Sequence, residues 1–130
     1  MALRWYHLVV DSHDPSSLAR WWAGVLGWEV VYEDDDETDI APGWAGEEGL
    51  EWQRQRPQMA FVPVPEAKTL KNRLHLDLAP HLDDDRDAEI QRLLDLGATR
   101  VDVGQGPDVS WAVLADPEGN EFCVLSSRAE

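Results

Sequence analysis

Cysteine is almost missing from this chain. Cys123 is the one thiol in 130 residues, which excludes an internal disulfide and fits a reducing compartment. Basic residues are scarce too, 11 against 26 acidic, for a net charge of −15. A surface that acidic repels phosphate backbones and anionic bilayers, so neither nucleic acid nor a membrane is expected as a partner. No apolar run approaches the roughly 20 residues that a membrane-spanning helix needs. The opening residues, MALRWYHLVVDSHD, lack the basic region, apolar stretch and small-residue cleavage site of a secretory signal. A cytoplasmic location is the expectation. Phenylalanine and tyrosine are few, two of each, but there are seven tryptophans. Some of these must be core, and so large an excess also suits a cavity lined with aromatic faces. The acidic runs Glu33 to Glu37 and Asp83 to Asp85 read as solvated loops that keep the surface charged.

What is present is a repeat. Residues 7–13 read HLVVDSH and residues 75–81 read HLDLAPH. Each first histidine opens a strand-like run, and an acidic start, a helical stretch and a glycine follow. Gly27 comes 20 residues after His7, and Gly97 comes 22 after His75. A match in the order of elements over such lengths points to a duplicated unit within one domain of residues 1–130, with modules at about 3–65 and 72–127.

Along the first copy, Arg4 to Asp11 reads as a strand. Asp14 is placed to cap a helix that Pro15 begins. Leu18, Trp21, Trp22, Val25 and Leu26 recur at helical spacing, and Gly27 supplies the left-handed stop. Trp28 to Glu33 reads as a strand, residues 34–47 as an acidic loop, and Gly49 to Arg56 and Gln58 to Val64 as two more strands. In the second copy, Leu74 to Ala79 is a strand and Asp83 to Leu96 a helix with an acidic start. Strands follow at Ala98 to Val103, Val109 to Ala115 and Glu121 to Ser126, with a turn at Asp116-Pro117-Glu118-Gly119-Asn120. The order is strand, helix and three strands, twice. Strand alternation puts Trp5, His7 and Val9 on one face and Tyr6, Leu8 and Val10 on the other. In the second copy it separates Arg73, His75 and Asp77 from Leu74, Leu76 and Leu78, the expected partners of the helix. The predicted class is α+β.

Three segments carry a family resemblance. They are His7 with the Asp14-Pro15 helix start and Gly27-Trp28, then Val64-Pro65-Glu66 through Lys71-Asn72-Arg73-Leu74-His75-Leu76-Asp77-Leu78, and then Leu114-Ala115-Asp116-Pro117-Glu118-Gly119-Asn120-Glu121-Phe122-Cys123-Val124-Leu125. Over nearly its whole length the chain resembles the vicinal oxygen chelate superfamily, the group of glyoxalase I, bleomycin-resistance proteins and extradiol dioxygenases. It is most similar to the small glyoxalase-like domain proteins. The resemblance implies two βαβββ modules forming a curved mixed sheet around a cleft, with metal ligands on the first and last strand of each module. His7 and His75 stand in the first-strand positions. The last-strand position of the second module, four residues after Gly119, holds Cys123. Its counterpart in the first falls near Phe61, which cannot bind metal. Glu121 shares a strand face with Cys123.

Two functions remain open on these residues. One is an enzyme acting on a small molecule with vicinal oxygens, of lyase, isomerase or dioxygenase type. In it His7, His75 and Glu121 are catalytic residues or ligands of a divalent iron, nickel, zinc or manganese ion. The other is a metal-free protein, like the bleomycin-resistance members, that sequesters an aromatic or cationic compound. Trp5, Trp52, Phe61, Trp111 and Cys123 are the candidate pocket residues in either case. Cys123 also reads as an ordinary small apolar residue. His7 and His75 read equally as hydrogen-bonding or structural histidines. Family habit suggests a homodimer.

Overall fold

A computed structural model describes residues 3–43, 57–102, 104 and 110–129. The chain forms two compact units, Met1–Ala67 and Lys68–Glu130. The expected strand Gly49 to Arg56 and residues Trp44, Trp52, Val103 and Val109 lie outside the described residues.

Unit 1 runs β1 (His7–Ser12), α1 (Pro15–Leu26), β2 (Trp28–Asp34), β3 (Glu37–Pro42) and β4 (Gln58–Pro63). Its helix starts where the local chemistry dictates. The Asp14 carboxylate accepts from Ser17 N at 3.3 Å, and Pro15 occupies the first turn, where no amide is needed. Gly27, at φ +68°, closes the helix by sending its amide back to Ala23 O. Leu18, Ala19, Trp22 and Val25 form the buried stripe.

The sheet order is β1-β4-β3-β2, with β1 and β4 parallel and the other pairs antiparallel. β3 corrects the sequence reading, which made residues 34–47 a loop. The Asp34 carboxylate accepts from Asp36 N at 2.8 Å. This tightens a two-residue turn and returns the chain antiparallel to β2. Beyond the acidic turn the sequence alternates. Thr38 and Ile40 share the face of Met59 and Phe61, which is the helix side, while Asp39 takes the other face with Ala60.

Unit 2 repeats the order in shorter pieces: β5 (Asp77–Leu78), α2 (Arg86–Asp95), β6 (Thr99–Arg100), β7 (Ala112–Ala115) and β8 (Glu121–Val124). Its sheet order is β5-β8-β7-β6, again with one parallel pair, β5 with β8. The helix begins later than expected because Asp85 is the cap, accepting from Asp87 N and Ala88 N at 3.0 and 3.2 Å. The strand expected from Leu74 is also shorter. Leu74 precedes β5 and is 83% exposed, so it is not the helix partner that strand alternation predicts.

The β7–β8 turn is built around buried Asp116. Its carboxylate accepts from Glu118 N and Asn120 N, each at 2.9 Å, and from the Asn120 side chain. Gly119, at φ +89°, supplies the left-handed position of that turn. The architecture is α+β, two mixed four-stranded sheets with one helix each. Among the described residues no helix is long and apolar enough to cross a membrane.

Candidate functional site

In unit 2 the parallel register pairs Asp77 with Cys123. Partners on adjacent strands point to the same face, and strand periodicity puts His75 there as well. The consequence is one compact group. The ligating atoms of His75, Asp77 and Cys123 all lie within 4.8 Å of one another. Asp77 Oδ1 is 3.2 Å from His75 Nε2. Both of these side chains are half-exposed, whereas Cys123 is buried. Burial pushes the Cys123 thiol up, and the Asp77 carboxylate, which accepts its proton, pushes it further; Lys71 acts the other way. Without a cation the residue is therefore a neutral thiol and a poor nucleophile.

The donor set fits a metal ion. Tetrahedral ligands at bond lengths of roughly 2.0–2.3 Å stand about 3.3–3.8 Å apart. Reaching that spacing from the present 4.8 Å spread would take rotation of the half-exposed His75 and Asp77 side chains. A divalent ion would stabilise the thiolate that Asp77 now disfavours. Three protein donors leave a coordination position for substrate or water. Thiolate and imidazole favour zinc, iron or nickel over manganese.

The other expected residues are placed differently. Glu121, on β8, gives its carboxylate to Lys68 Nζ at 2.7 Å and to Asn72 N at 3.0 Å. Burial raises its pKa, but the Lys68 and Asn72 donors, with the Glu121 amide and the charge of Lys68, together outweigh burial and hold the carboxyl below its ordinary value. His7 lies in unit 1, where its Nε2 donates to Gln58 Oε1 at 3.0 Å across the β1–β4 pair. Phe61 is wholly buried on the helix side of its sheet. The residue that corresponds structurally to Cys123 is its neighbour Ala60, paired with Val9 as Cys123 is paired with Asp77. Trp5 and Trp111 are exposed, and Trp52 lies outside the described residues.

Sequence reasoning set Asp77 beside His75 on one face but left it out of the site. The missing signal was the parallel pairing of β5 with β8, which brings Cys123 to it.

Two four-stranded mixed sheets, each built from a βαβββ unit, define the glyoxalase/bleomycin-resistance fold. Solved structures with this fold align along nearly the whole chain. A glyoxalase/bleomycin resistance protein/dioxygenase family enzyme from Burkholderia phytofirmans PsJN is 14% identical, with a TM-score of 0.70 over 97% of this chain and 100% of its own. The trypanothione-dependent glyoxalase I of Leishmania major is 13% identical, with a TM-score of 0.59 over 96% and 87%. A bleomycin resistance determinant encoded on the transposon Tn5 is 18% identical, with a TM-score of 0.54 over 94% and 96%. No curated protein matches the sequence. The profile of the glyoxalase-like domain matches residues 7–125, and the chain belongs to that family.

Proposed function

We propose that this protein is a glyoxalase-like enzyme acting on a small organic substrate with vicinal oxygens, and that its reactive centre is the β5–β8 face of unit 2. The observation that carries this reading is the convergence of His75, Asp77 and Cys123. These three residues would hold a divalent metal, which when bound supplies Lewis-acid polarisation of a substrate oxygen. The chain's own groups do the rest. Asp77 orients the His75 ring, and Lys71 favours the thiolate of Cys123. Glu121, already paired with Lys68 and Asn72, is a positioning group that fixes β8 under the site.

The test is metal content and cobalt spectroscopy on protein without a histidine tag. One equivalent of bound metal is expected, and Co(II) should give a near-ultraviolet thiolate charge-transfer band that disappears in Cys123→Ser. Asp77→Asn should weaken metal binding about 10–100-fold if it ligates or orients a ligand. Protein that takes up no zinc, iron, nickel or cobalt and shows no such band would end this reading.

A second reading, metal-free sequestration of an aromatic or cationic compound, is supported by the β1–β4 face of unit 1. There Val9 and Ala60 stand where unit 2 has Asp77 and Cys123, and neither can ligate a metal.

A further inference from the structure

Unit 1 buries a carboxyl group that the metal reading does not use. Asp39 projects from the middle of β3 to the face away from α1, because Thr38 and Ile40 on either side turn toward the helix. It is 6% exposed, and its Oδ1 is buried without a hydrogen-bond partner. A buried acceptor with no donor is rare in a native fold and costly to keep.

Its surroundings indicate what is missing. Across the sheet, the register sets Val9, Ala60, Asp39 and Tyr32 in one transverse row. Val9 and Tyr32, at the two ends, are about half exposed. Glu37 is the next residue on the same face of β3. The titratable groups on the face of the row are His7 and Asp11 on β1, Glu29, Tyr32 and Asp34 on β2, and Glu37 on β3; β4 contributes only Gln58, Ala60 and Val62. Burial, then Glu37, and more weakly Asp34, push the Asp39 carboxyl up to about 6, and His7 opposes them only in part. Tyr32 gives its hydroxyl proton to Asp34 at 2.6 Å, which leaves the face of its ring as what it can offer a ligand.

We propose that this face of unit 1 is a recognition site for an organic cation, a primary ammonium or guanidinium on an apolar body, centred on Asp39 and Glu37. The cation donates to the partnerless Oδ1 and favours the carboxylate, so a proton held by the Asp39 carboxyl passes to solvent. Half-exposed Val9 offers its body an apolar seat, and the Tyr32 ring offers the cation a π face. A metal ion suits the place less well. Among the described residues, the group of three donors close enough to hold one is in unit 2. The net charge of −15 adds long-range attraction for any cation. This assignment rests on the second reading, sequestration of a cationic compound on the unit 1 face, and uses none of the unit 2 donors.

The test uses the full chain treated with chelator, titrated calorimetrically at pH 5.5 with 2-phenylethylammonium, with guanidinium ion, and with 2-phenylethanol as the neutral control. Acetate and MES, which differ in ionisation enthalpy, report the protons released. Saturable binding of 2-phenylethylammonium with release of most of one proton is expected, guanidinium should bind more weakly, and the alcohol should not bind. Asp39→Asn should weaken ammonium binding at least tenfold. The Asp39 carboxyl carbon resonance of the unaltered protein should move on adding either cation and stay put with equal sodium chloride, which keeps the test decisive if the variant folds poorly. No movement of that resonance, equal binding of the alcohol, or unchanged affinity in folded Asp39→Asn would overturn the proposal.

Discussion

The two units follow one plan and decorate it in opposite ways. In each, the first strand lies at a sheet edge, parallel to the last strand of its unit. Each starts that region with a histidine, His7 or His75. Two residues further on they diverge. The transverse row reads Val9, Ala60, Asp39 in unit 1 and Asp77, Cys123, Val113 in unit 2. Unit 2 has its ionisable groups on the first and last strands, where unit 1 is apolar. Unit 1 has its carboxyl one strand further in, where unit 2 has valine. A duplicated scaffold thus supplies equivalent positions, and the side chains placed there assign each half its own chemistry.

The units also differ in what holds them. Strands of unit 1 are 6 or 7 residues long, and α1 presses Leu18, Trp22 and Val25 against the face that carries Ile40, Met59 and Phe61. Strands of unit 2 are 2 or 4 residues long, and α2 buries only Ile90 and Leu93. Polar fastenings make up the difference there: the Asp116 turn, the Lys68–Glu121–Asn72 strap, and Arg86 Nη2 donating to Val124 O at 3.2 Å. If that contrast is right, removing charge should hurt unit 2 far more than unit 1.

Asp116→Ala is the sharpest way to break it. The change strands two backbone amides and the Asn120 side chain beside a buried position. A loss of about 3 kcal/mol is expected, since orphaned donors in charged hydrogen bonds cost roughly 1.5–3 kcal/mol each before relaxation and new contact with water. Urea denaturation gives the magnitude, and hydrogen exchange should show the loss in β7 and β8 first. A change under 1 kcal/mol would mean that the turn is incidental.

Lys68→Met should come next. The pair is largely buried, with 19% and 11% of the two side chains exposed, so losing the ammonium leaves Glu121 with backbone amides, chiefly that of Asn72. The expected cost is about 2–3 kcal/mol, below the usual range for a broken buried pair because those amides remain. The pH dependence follows from the lowered Glu121 pKa. Its contribution is complete above the unfolded value near ~4.3 and is lost as pH falls through the lower folded value. Stability of the parent should therefore fall off in that acid window, and the variant should lose much of that dependence. Parent and variant curves of the same shape would show that the ion pair does not stabilise unit 2.

The repeat and the start of α1 were legible because they rest on local chemistry. Asp14-Pro15, Gly27 and the Asp116-Pro117-Glu118-Gly119-Asn120 turn each specify their own backbone. β3 was not legible. Its acidic approach through Asp34, Asp35 and Asp36 looks like solvated loop, and the alternation of Thr38, Asp39 and Ile40 is too short to outweigh that. The same misreading hid Asp39. His75 could be picked out as a site residue from its place in the repeat, but its neighbours could not. Asp77 and Cys123 are 46 residues apart, and only the parallel pairing of β5 with β8 makes them partners. Glu121 was visible on the right face, while its capture by Lys68 and Asn72 depends on how a segment 49 to 53 residues earlier folds back.

The smallest effect expected is in unit 1, at its most conspicuous ion pair. Arg20 meets Glu33 through two bonds, Nη1 to Oε2 at 2.7 Å and Nη2 to Oε1 at 3.0 Å, on an open surface. The Arg20 hydrogen bonds, with help from Ser16 and Thr38, hold the Glu33 carboxyl down at about 2. A depressed carboxyl contributes stability above its unfolded pKa, and the contribution fades as pH falls toward about 2. At an exposed site, however, solvent and salt screen most of it. In Arg20→Ala, carboxyl-carbon NMR should show Glu33 titrating nearer the ordinary range, while the neutral-pH melting temperature stays where it was. A melting-temperature drop comparable to that of Lys68→Met would show that charge fastens both units alike, and the contrast between an apolar first half and a polar-fastened second half would not hold.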